Sequence, residues 1–440
     1  MVRRSRGSVI VGIAILGSLG WAACGGDEAA GPADAAVGSD GSTTDDGTTS
    51  DGAVPRDGAA RDSGAADAAA DAAADAAADA GAPTFCVRAA GASGSDTACL
   101  ARLAVGAKNL RYYRSHSLDQ TNSAIQNLVL IQHGNNRNAW DYYDLLAAAA
   151  IARDPLHTAV VAPHFQASGN ACASGPDVVA ANDLDYACSD WKEGLLDKSG
   201  SIDSFAALDA LVAKAKAAFP SLVRVTVAGY SAGGQTIQRY AGGNTEHGRT
   251  PVITTRYVVG SPGTYMYLDG QRVKPDAVCT SAASCALDAT SFEVPAYAPG
   301  CATTDSHATA TDGNYDDYKC GLANRAGYLA AVSDADLRAQ YVARNIVYVL
   351  GEGDSRRVGA VTAKYPAGTP TAYTVLDKDC PAIVQGPLES SFRLQRGLVF
   401  HRYVTLLFGA THRVTVVPAC GHDDACVLTS SEALAEIFGP

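Results

Sequence analysis

The chain has 440 residues, of which 47% are hydrophobic and 18% are charged, with a formal net charge of −12 and 12 cysteines. That apolar fraction is sufficient for a buried core and excludes a wholly disordered or collagen-like chain. The acidic total argues against a nucleic-acid-binding protein, which normally presents a basic face. We therefore expect a globular protein without a nucleic-acid partner.

The N-terminus has the pattern of a secretory signal peptide. Three arginines precede an apolar run of about a dozen residues that ends in small residues, which predicts a signal peptide over residues 1–23. Such a run is too short to span a membrane comfortably. The alanines before Cys24 resemble the lipobox of bacterial lipoproteins, although Trp21 stands where that pattern usually has an aliphatic residue. The resemblance implies lipidation of Cys24; the alternative is an ordinary signal peptide cut near Ala23.

Residues 24–83 form a segment without an apolar face, rich in Asp, Ala and Gly. Asp67, Asp71, Asp75 and Asp79 are four residues apart, so their charges would repel one another on a helix. We predict a disordered, self-repelling linker. From Gly25 onward it carries 13 acidic residues and two arginines, a net charge of −11. The remaining 84–440 region is therefore close to neutral, at about −4.

The cysteines agree with export. Apart from Cys24 there are eleven, several of them in pairs close in sequence, which favours disulfides in an oxidising compartment over a metal site. The pattern contains no CxxC motif and no Cys/His ligand cluster. Because eleven is odd, one thiol is left unpaired, and the sequence does not identify it. We expect an exported protein in the cell envelope or outside the cell, whose only membrane contact is the lipid anchor.

Within residues 84–440, short β-branched runs alternate with Ala/Leu-rich helical stretches. Continuous apolar strands separated by helices predict one α/β domain with a mostly parallel central sheet and helices on both faces. The predicted strands are Ala124–Gln132, Thr158–Ala162, Val223–Ala228, Arg256–Gly260, Asn345–Leu350 and Arg413–Val417, and the predicted helices are Ala139–Arg153, Ile202–Ala218, Gln235–Ala241 and Phe392–Phe408. Residues 268–340 are loop-rich and contain four cysteines, which predicts a disulfide-containing insertion, or cap.

The strongest chemical signal is Gly229-Tyr230-Ser231-Ala232-Gly233, which lies between a predicted strand and a predicted helix. This is the G-x-S-x-G nucleophile-elbow pattern in the context that the motif requires. A serine on such a turn is raised out of the sheet at a helix N-terminus, where the dipole favours developing negative charge. We predict that Ser231 is a nucleophile; the alternative is a glycine-rich turn with an incidental serine.

On these residues most of the region from Ala124 to Pro440 resembles the α/β-hydrolase superfamily. The resemblance implies an α/β-hydrolase fold and catalytic partners in the order serine, acid, histidine. His422 follows the last predicted strand and fits the position of the superfamily's histidine, between Cys420 and Cys426, which would brace the loop if paired. His401 and His412 are the alternatives, but the first lies within a predicted helix and the second precedes the strand.

The acid is expected after the predicted strand Asn345–Leu350, where Gly351-Glu352-Gly353-Asp354 follows. Asp354 matches the superfamily position best, and Glu352 is the alternative carboxylate. Either carboxylate would otherwise be an N-cap or a solvated turn residue. The acid would hold the histidine tautomer and stabilise the imidazolium.

An oxyanion hole requires two backbone N–H groups. The first is expected at Ala232, directly after Ser231. The second is expected in the loop after Leu128–Gln132, where His133-Gly134 resembles the HG turn of many α/β-hydrolases and Asn135 is the candidate donor. We expect His133 to orient this loop rather than to act as the base.

These residues predict a serine hydrolase that cleaves carboxylic esters, either small molecules or polymers. The alternatives are a serine peptidase, a polyester or polysaccharide-ester depolymerase, and a non-catalytic surface-binding protein on a hydrolase scaffold. Neither a phosphate-binding glycine loop nor a metal-ligand pattern is evident, so we expect no cofactor and no metal. The sequence does not indicate the oligomeric state.

Overall fold

The computed structural model of the chain describes residues 84–170, 172, 174–273, 285–294, 316–354 and 393–439. The predicted signal peptide, Cys24 and the predicted linker lie outside the described residues. So do two parts of the predicted insertion, residues 274–284 and 295–315.

The core of the structure is an eight-stranded sheet. Its strands are β1 (Leu100–Val105), β2 (Lys108–Arg114), β3 (Asn127–Gln132), β4 (Thr158–His164), β5 (Arg224–Tyr230), β6 (Thr254–Gly260), β9 (Asn345–Gly351) and β10 (Arg413–Val417); β7 (Arg272–Val273) and β8 (Phe292–Glu293) form a separate antiparallel pair. The order across the main sheet is β1-β2-β4-β3-β5-β6-β9-β10. β2 is antiparallel to both of its neighbours, and every other neighbouring pair is parallel.

Helices cover both faces of this sheet. They are α1 (Ala139–Arg153), α2 (Ser204–Ala218), α3 (Ala232–Gly243), α4 (Asp334–Ala343), α5 (Arg393–Phe408), α6 (Asp424–Thr429) and α7 (Ser431–Phe438). The apolar side chains of α2, α3, α4 and α5 belong to one buried cluster. Those of α1, α6 and α7 belong to a second cluster on the opposite face. The doubly wound α/β architecture with a mostly parallel sheet is therefore confirmed.

The central strands explain why both faces are covered. In β3, Leu128 and Leu130 enter one apolar cluster while Val129 and Ile131 enter the other. Successive side chains of a strand point to opposite faces, so a continuous apolar run requires a hydrophobic layer on each side. The six predicted strands all form, with ends that differ by up to three residues.

The hairpin formed by β1 and β2 was not predicted. Its strands mix apolar residues with Arg, Lys and Asn. The hairpin lies at one end of the sheet, with β1 as the edge strand, and many of its side chains are only partly buried. The turn between the two strands is the clearest sequence signal for a hairpin. Val105 pairs with Lys108 across a two-residue loop, and Gly106 takes a positive φ of 62° there. Two-residue hairpin loops require such a conformation, which favours glycine.

Disulfides are present, as expected from the cysteine pattern. Three join cysteines that are close in sequence: Cys86–Cys99, Cys172–Cys188 and Cys420–Cys426. Cys285 and Cys320, which lie in the predicted insertion, are also disulfide-bonded. The described parts of that insertion include β7, β8 and most of α4, and its role as a cap stays a prediction.

Candidate active site

Ser231 lies at the sharp turn between β5 and α3. Its dihedral angles, φ 56° and ψ −119°, are unusual for a residue with a side chain. Such a conformation costs about 1–3 kcal/mol and persists only where the surroundings enforce it. Here the Ser231 N–H donates to the Gly260 carbonyl at 2.9 Å, and the Ser231 carbonyl accepts from the Gln235 N–H at 3.0 Å. These bonds anchor the turn between β6 and the first turn of α3.

Glycines allow the first turn of α3 to approach the ends of two strands. A Cβ atom at Gly233 would lie 2.3 Å from the Gln132 carbonyl oxygen, at the end of β3. A Cβ atom at Gly234 would lie 2.2 Å from the Gly260 carbonyl oxygen, at the end of β6. Neither position can accept a side chain without backbone displacement. The glycines therefore hold Ser231 at the carboxyl edge of the sheet, close to the β3 loop.

The loop after β10 carries His422. The Cys420–Cys426 disulfide closes this loop over a sequence separation of 6. The Asp423 side chain accepts from the Cys426 N–H at 2.9 Å and caps α6. The loop also joins the end of β9, because the Gly353 N–H donates to the Cys420 carbonyl at 2.8 Å. Three constraints thus hold the short segment on which the imidazole is carried.

The structure brings Ser231, His422 and Asp354 together. The Nε2 atom of His422 lies 2.9 Å from Ser231 Oγ, and its Nδ1 atom lies 2.8 Å from Asp354 Oδ2. A carboxylate only accepts hydrogen bonds, so Nδ1 carries the proton and Nε2 is left to accept from the serine hydroxyl. The histidine side chain is 20% exposed and that of Asp354 is 3% exposed. Solvent therefore reaches Ser231 and His422 in part, while the carboxylate is kept from bulk water.

Glu352, the alternative acid, lies elsewhere. Its side chain is exposed, and its Oε2 atom accepts from the Ala419 N–H at 3.2 Å. Ala419 has a positive φ of 60°, so this bond supports a strained turn that leads into the His422 loop. The geometry therefore associates Asp354, rather than Glu352, with His422.

Tyr230 packs behind the imidazole, a contact that was not predicted. Its ring stacks on that of His422 with centroids 5.1 Å apart and an interplanar angle of 24°. Tyr230 is the first of the two variable residues of the nucleophile elbow and lies at the end of β5. Its place beside Ser231 was the only sequence signal for this contact. Stacking limits how far the imidazole can rotate away from Ser231.

The two rival histidines occupy the opposite end of the sheet. His412 precedes β10 and is buried, with Nε2 donating to the Tyr341 carbonyl and Nδ1 accepting from the Tyr348 hydroxyl, both at 3.0 Å. His401, on α5, donates through Nε2 to the His412 carbonyl at 3.0 Å. Burial lowers the pKa of His412 to about 4. Both rings have structural partners there.

His133 orients the loop after β3, as expected. It is fully buried, with Nδ1 donating to the Gly134 carbonyl at 2.9 Å and Nε2 accepting from the Phe165 N–H at 3.1 Å. Burial, and to a lesser degree nearby His164, lowers the pKa of His133 to about 3. The ring is therefore neutral and ties the loop to the chain that follows β4.

The two predicted oxyanion donors lie on the elements that flank Ser231. Ala232 begins α3, so its N–H is one of the first four that lack a partner within the helix. Asn135 is exposed on the loop after Gly134. Gly134 itself is close to the nucleophile, since a Cβ atom built on it would lie 3.8 Å from Ser231 Cβ. The assignment of Asn135 stays a prediction.

Among the described residues, no helix is long and apolar enough to cross a membrane. Within the same ranges, no group of three or more His, Cys, Asp or Glu side chains is placed to hold a metal ion.

Comparisons with known proteins show similarity of structure only. No protein-family model and no curated protein matches the sequence. The chain is similar to poly(aspartic acid) hydrolase-1 from Sphingomonas sp. KT-1, with 17% identity and a TM-score of 0.44 over 77% of this chain and 98% of that one. It is similar to a poly(3-hydroxybutyrate) depolymerase from Bordetella parapertussis, with 18% identity and a TM-score of 0.44 over 80% and 92%. An S-formylglutathione hydrolase from Agrobacterium tumefaciens is 12% identical, with a TM-score of 0.34 over 75% and 90%.

The fold follows from features of the chain itself. One sheet contains an antiparallel second strand and otherwise parallel strands, and a strained serine turn joins its fifth strand to a helix. A histidine loop follows the last strand, and a carboxylate follows the strand beside it. Together these features identify the chain as having the α/β-hydrolase fold.

Proposed function

We propose that this chain is a serine hydrolase that cleaves carboxylic esters through an acyl-enzyme. The observation that supports the proposal most is the chain of contacts from Ser231 Oγ through His422 to Asp354, with distances of 2.9 and 2.8 Å. A serine hydroxyl is a weak nucleophile until an adjacent base takes its proton. The same arrangement of serine, histidine and carboxylate performs acyl transfer on unrelated folds. The geometry of the three side chains therefore supports the proposal more than the fold does.

The proposed reaction has two halves. In the first, Ser231 Oγ bonds to the ester carbonyl carbon while His422 Nε2 takes the hydroxyl proton. That proton passes to the departing alkoxide as the ester C–O bond breaks. In the second half, water attacks the acyl-enzyme while Nε2 takes its proton, and the proton returns to Ser231 as the carboxylic acid leaves. Asp354 holds the required tautomer and stabilises the imidazolium in both halves.

The negative charge that develops on the carbonyl oxygen requires donors. We propose the N–H groups of Ala232 and Asn135 for this role, on the helix start and the loop that flank Ser231. The N-terminus of α3 adds a favourable dipole at the same point. Donors that are already oriented need no reorganisation during the reaction, which is why their contribution is large.

We also propose that the protein is exported and tethered to a bacterial membrane through lipidated Cys24, with residues 25–83 as a spacer. The sequence of residues 1–24 and the disulfides among the described residues support this proposal, since disulfides persist in oxidising compartments. A Cys24→Ser variant should move from the membrane fraction to the soluble one, with no diacylglycerol-modified N-terminus in its mass spectrum. Unchanged membrane retention would contradict the tether.

The catalytic proposal is tested by hydrolysis of p-nitrophenyl butyrate. Ser231→Ala should reduce turnover by about 10⁵- to 10⁶-fold while the melting temperature stays within a few degrees of wild type. A parallel assay on p-nitroanilides separates an esterase from a peptidase. Retention of ester hydrolysis by folded Ser231→Ala protein would overturn the proposed nucleophile.

A further inference from the structure

The loop between β3 and α1 contains a closed turn that begins beside the nucleophile. The Arg137 N–H donates to the Gly134 carbonyl at 3.1 Å, which closes a four-residue turn. Asn135 and Asn136 occupy its two central positions, and both are exposed. Gly134 borders Ser231, since a Cβ atom built on it would lie 3.8 Å from Ser231 Cβ. The closing bond does not involve the Asn135 N–H, so the turn itself places no demand on the proposed second oxyanion donor.

Arg137, the last residue of this turn, is unusual in both conformation and burial. Its φ is 55°, in the left-handed region that favours glycine, and only 2% of its side chain is exposed. Its Nε atom donates to Asp177 Oδ2 at 2.6 Å, and its Nη2 atom donates to the Gly175 carbonyl. A charged side chain is buried only where partners compensate for the loss of water. The ion pair therefore holds the end of the turn in this conformation.

Both acceptors of the guanidinium belong to the segment between β4 and α2, residues 165–203. Asp177 is itself held near the end of β4, because the Ala167 N–H donates to the same Oδ2 atom at 2.7 Å. The Asp177 N–H in turn donates to the Ala167 carbonyl at 2.8 Å. The Gly175 N–H donates at 2.8 Å to the carbonyl of Cys172, which is disulfide-bonded within the segment. The ion pair thus joins the turn beside the nucleophile to a segment that is held by its own bonds.

We propose that Arg137 is a positioning residue for the oxyanion hole, and that its ion pair with Asp177 fixes the turn that carries the Asn135 N–H. The inference rests on the proposed function. Oxyanion donors lower the barrier because they are oriented before the reaction, so a loosened turn weakens their hydrogen bond most in the transition state. In this role Arg137 makes no bond to the substrate and transfers no proton.

The test compares Arg137→Gln with the matched variant Arg102→Gln in the full-length protein. Arg102 also forms an ion pair with the 165–203 segment, with Nε 2.9 Å from Asp183 Oδ1. It lies on β1, however, four strands away from β5, which leads into Ser231. Arg137→Gln should lower kcat for p-nitrophenyl butyrate by about tenfold with little change in KM, because the weakened bond forms mainly in the transition state. Arg102→Gln should leave kcat within about threefold of wild type.

Two further measurements separate a role in the oxyanion hole from a general loss of structure. A trifluoromethyl ketone adds to the serine and forms a tetrahedral adduct with a negatively charged oxygen. Arg137→Gln should weaken this inhibitor by about the same factor as it lowers kcat, since both measure stabilisation of the oxyanion. The pH at which kcat/KM is half-maximal should stay unchanged, because the contact between His422 and Asp354 is not altered.

Asp177→Asn removes the same ion pair from its other side and keeps an oxygen that can accept from Ala167, so it tests the proposal if Arg137→Gln does not fold. It should lower kcat by a similar factor, and the two losses should not add in the double variant, because both remove one interaction. A wild-type kcat in either folded variant, or a lower kcat with unchanged inhibitor affinity, would overturn the proposal for Arg137. Wild-type protein without Ser231-dependent hydrolysis would instead overturn the proposed function.

Discussion

The aromatic ring of Tyr230 stacks on the imidazole of His422, with ring centroids 5.1 Å apart. Tyr230 ends β5 and directly precedes Ser231, so one turn of backbone carries both the serine and the surface against which the imidazole packs. The other face of the arrangement depends on Asp354, which holds Nδ1 at 2.8 Å. The histidine is thus positioned by an aromatic contact from one strand and a carboxylate from another.

Removal of the Tyr230 ring should therefore impair catalysis more than substrate binding. We expect Tyr230→Ala to lower kcat by roughly tenfold or more, because small displacements of a catalytic group are costly. Tyr230→Phe keeps the stacked ring and should stay within about threefold of wild type. Steady-state kinetics with a p-nitrophenyl ester measures both. Equal losses in the two variants would show that the hydroxyl, and not the ring, is what matters.

The two carboxylates after β9 should behave differently. Asp354→Asn removes the negative charge next to the imidazole and favours the wrong tautomer, so kcat should fall by about 10³- to 10⁴-fold. Glu352→Gln is the matched control. Its side chain is exposed and contacts the Ala419 N–H, and its loss should change kcat by no more than about threefold. If Glu352→Gln lowered kcat more than Asp354→Asn does, Glu352 rather than Asp354 would be the acid.

The Cys420–Cys426 disulfide should matter for activity as well as for stability. A loop of this size stabilises a fold by about 2 kcal/mol in the chain-entropy description. Because His422 lies within the loop, Cys420→Ser/Cys426→Ser should also lower kcat, by roughly tenfold.

Cys86→Ser/Cys99→Ser is the control for this disulfide. That pair ties the start of the described chain to β1, at the edge of the sheet. Its removal should lower the melting temperature while kcat of the folded protein is retained. A Cys420→Ser/Cys426→Ser variant with a lower melting temperature and a wild-type kcat would show that the disulfide does not position His422.

Buried histidines should make stability depend on pH. Burial lowers the pKa of His133 to about 3, of His164 to about 3 and of His412 to about 4, whereas in the unfolded chain each has a pKa near 6.5. Between these values the unfolded chain binds protons that the folded chain does not. The free energy of unfolding should therefore decrease as the pH falls from about 6.5 toward 4, by up to about 1.4 kcal/mol per pH unit for each histidine.

Urea unfolding at several pH values between 7 and 4.5 measures this slope. His412→Gln removes one titrating ring away from Ser231 and should reduce the slope. An unfolding free energy that is constant across this range would show that these histidines are accessible to protons in the folded state.

Local patterns were sufficient for much of the fold. The β3 and β9 strands contain continuous apolar runs, and such runs are recognisable because a doubly covered sheet requires them. The β1–β2 hairpin is not predicted, because strands at the end of the sheet can carry polar residues. By contrast, the positions of Ser231, His422 and Asp354 after strands do follow from the order of the elements along the chain.

Other parts of the site depend on contacts between distant segments. Asp354 and Glu352 are two residues apart on one turn. To distinguish them, one must know which carboxylate faces the His422 imidazole. The approach of Tyr142, in α1, to Gly134 depends on how α1 packs against β4, β3 and β2, and the sequence around Tyr142 gives no sign of it. Residue order identifies loops that converge, but side-chain direction within a loop is set by packing in three dimensions.

Ser231 should react as a nucleophile that His422 activates. Labelling of the mature full-length protein with a fluorophosphonate, followed by mass spectrometry of the labelled peptide, measures this reactivity. We predict one label per chain, on Ser231, and a rate of labelling that falls at least about 100-fold in His422→Ala. Folded wild-type protein that takes up no label would favour a binding protein on a hydrolase scaffold, and a label on another residue would place the nucleophile elsewhere.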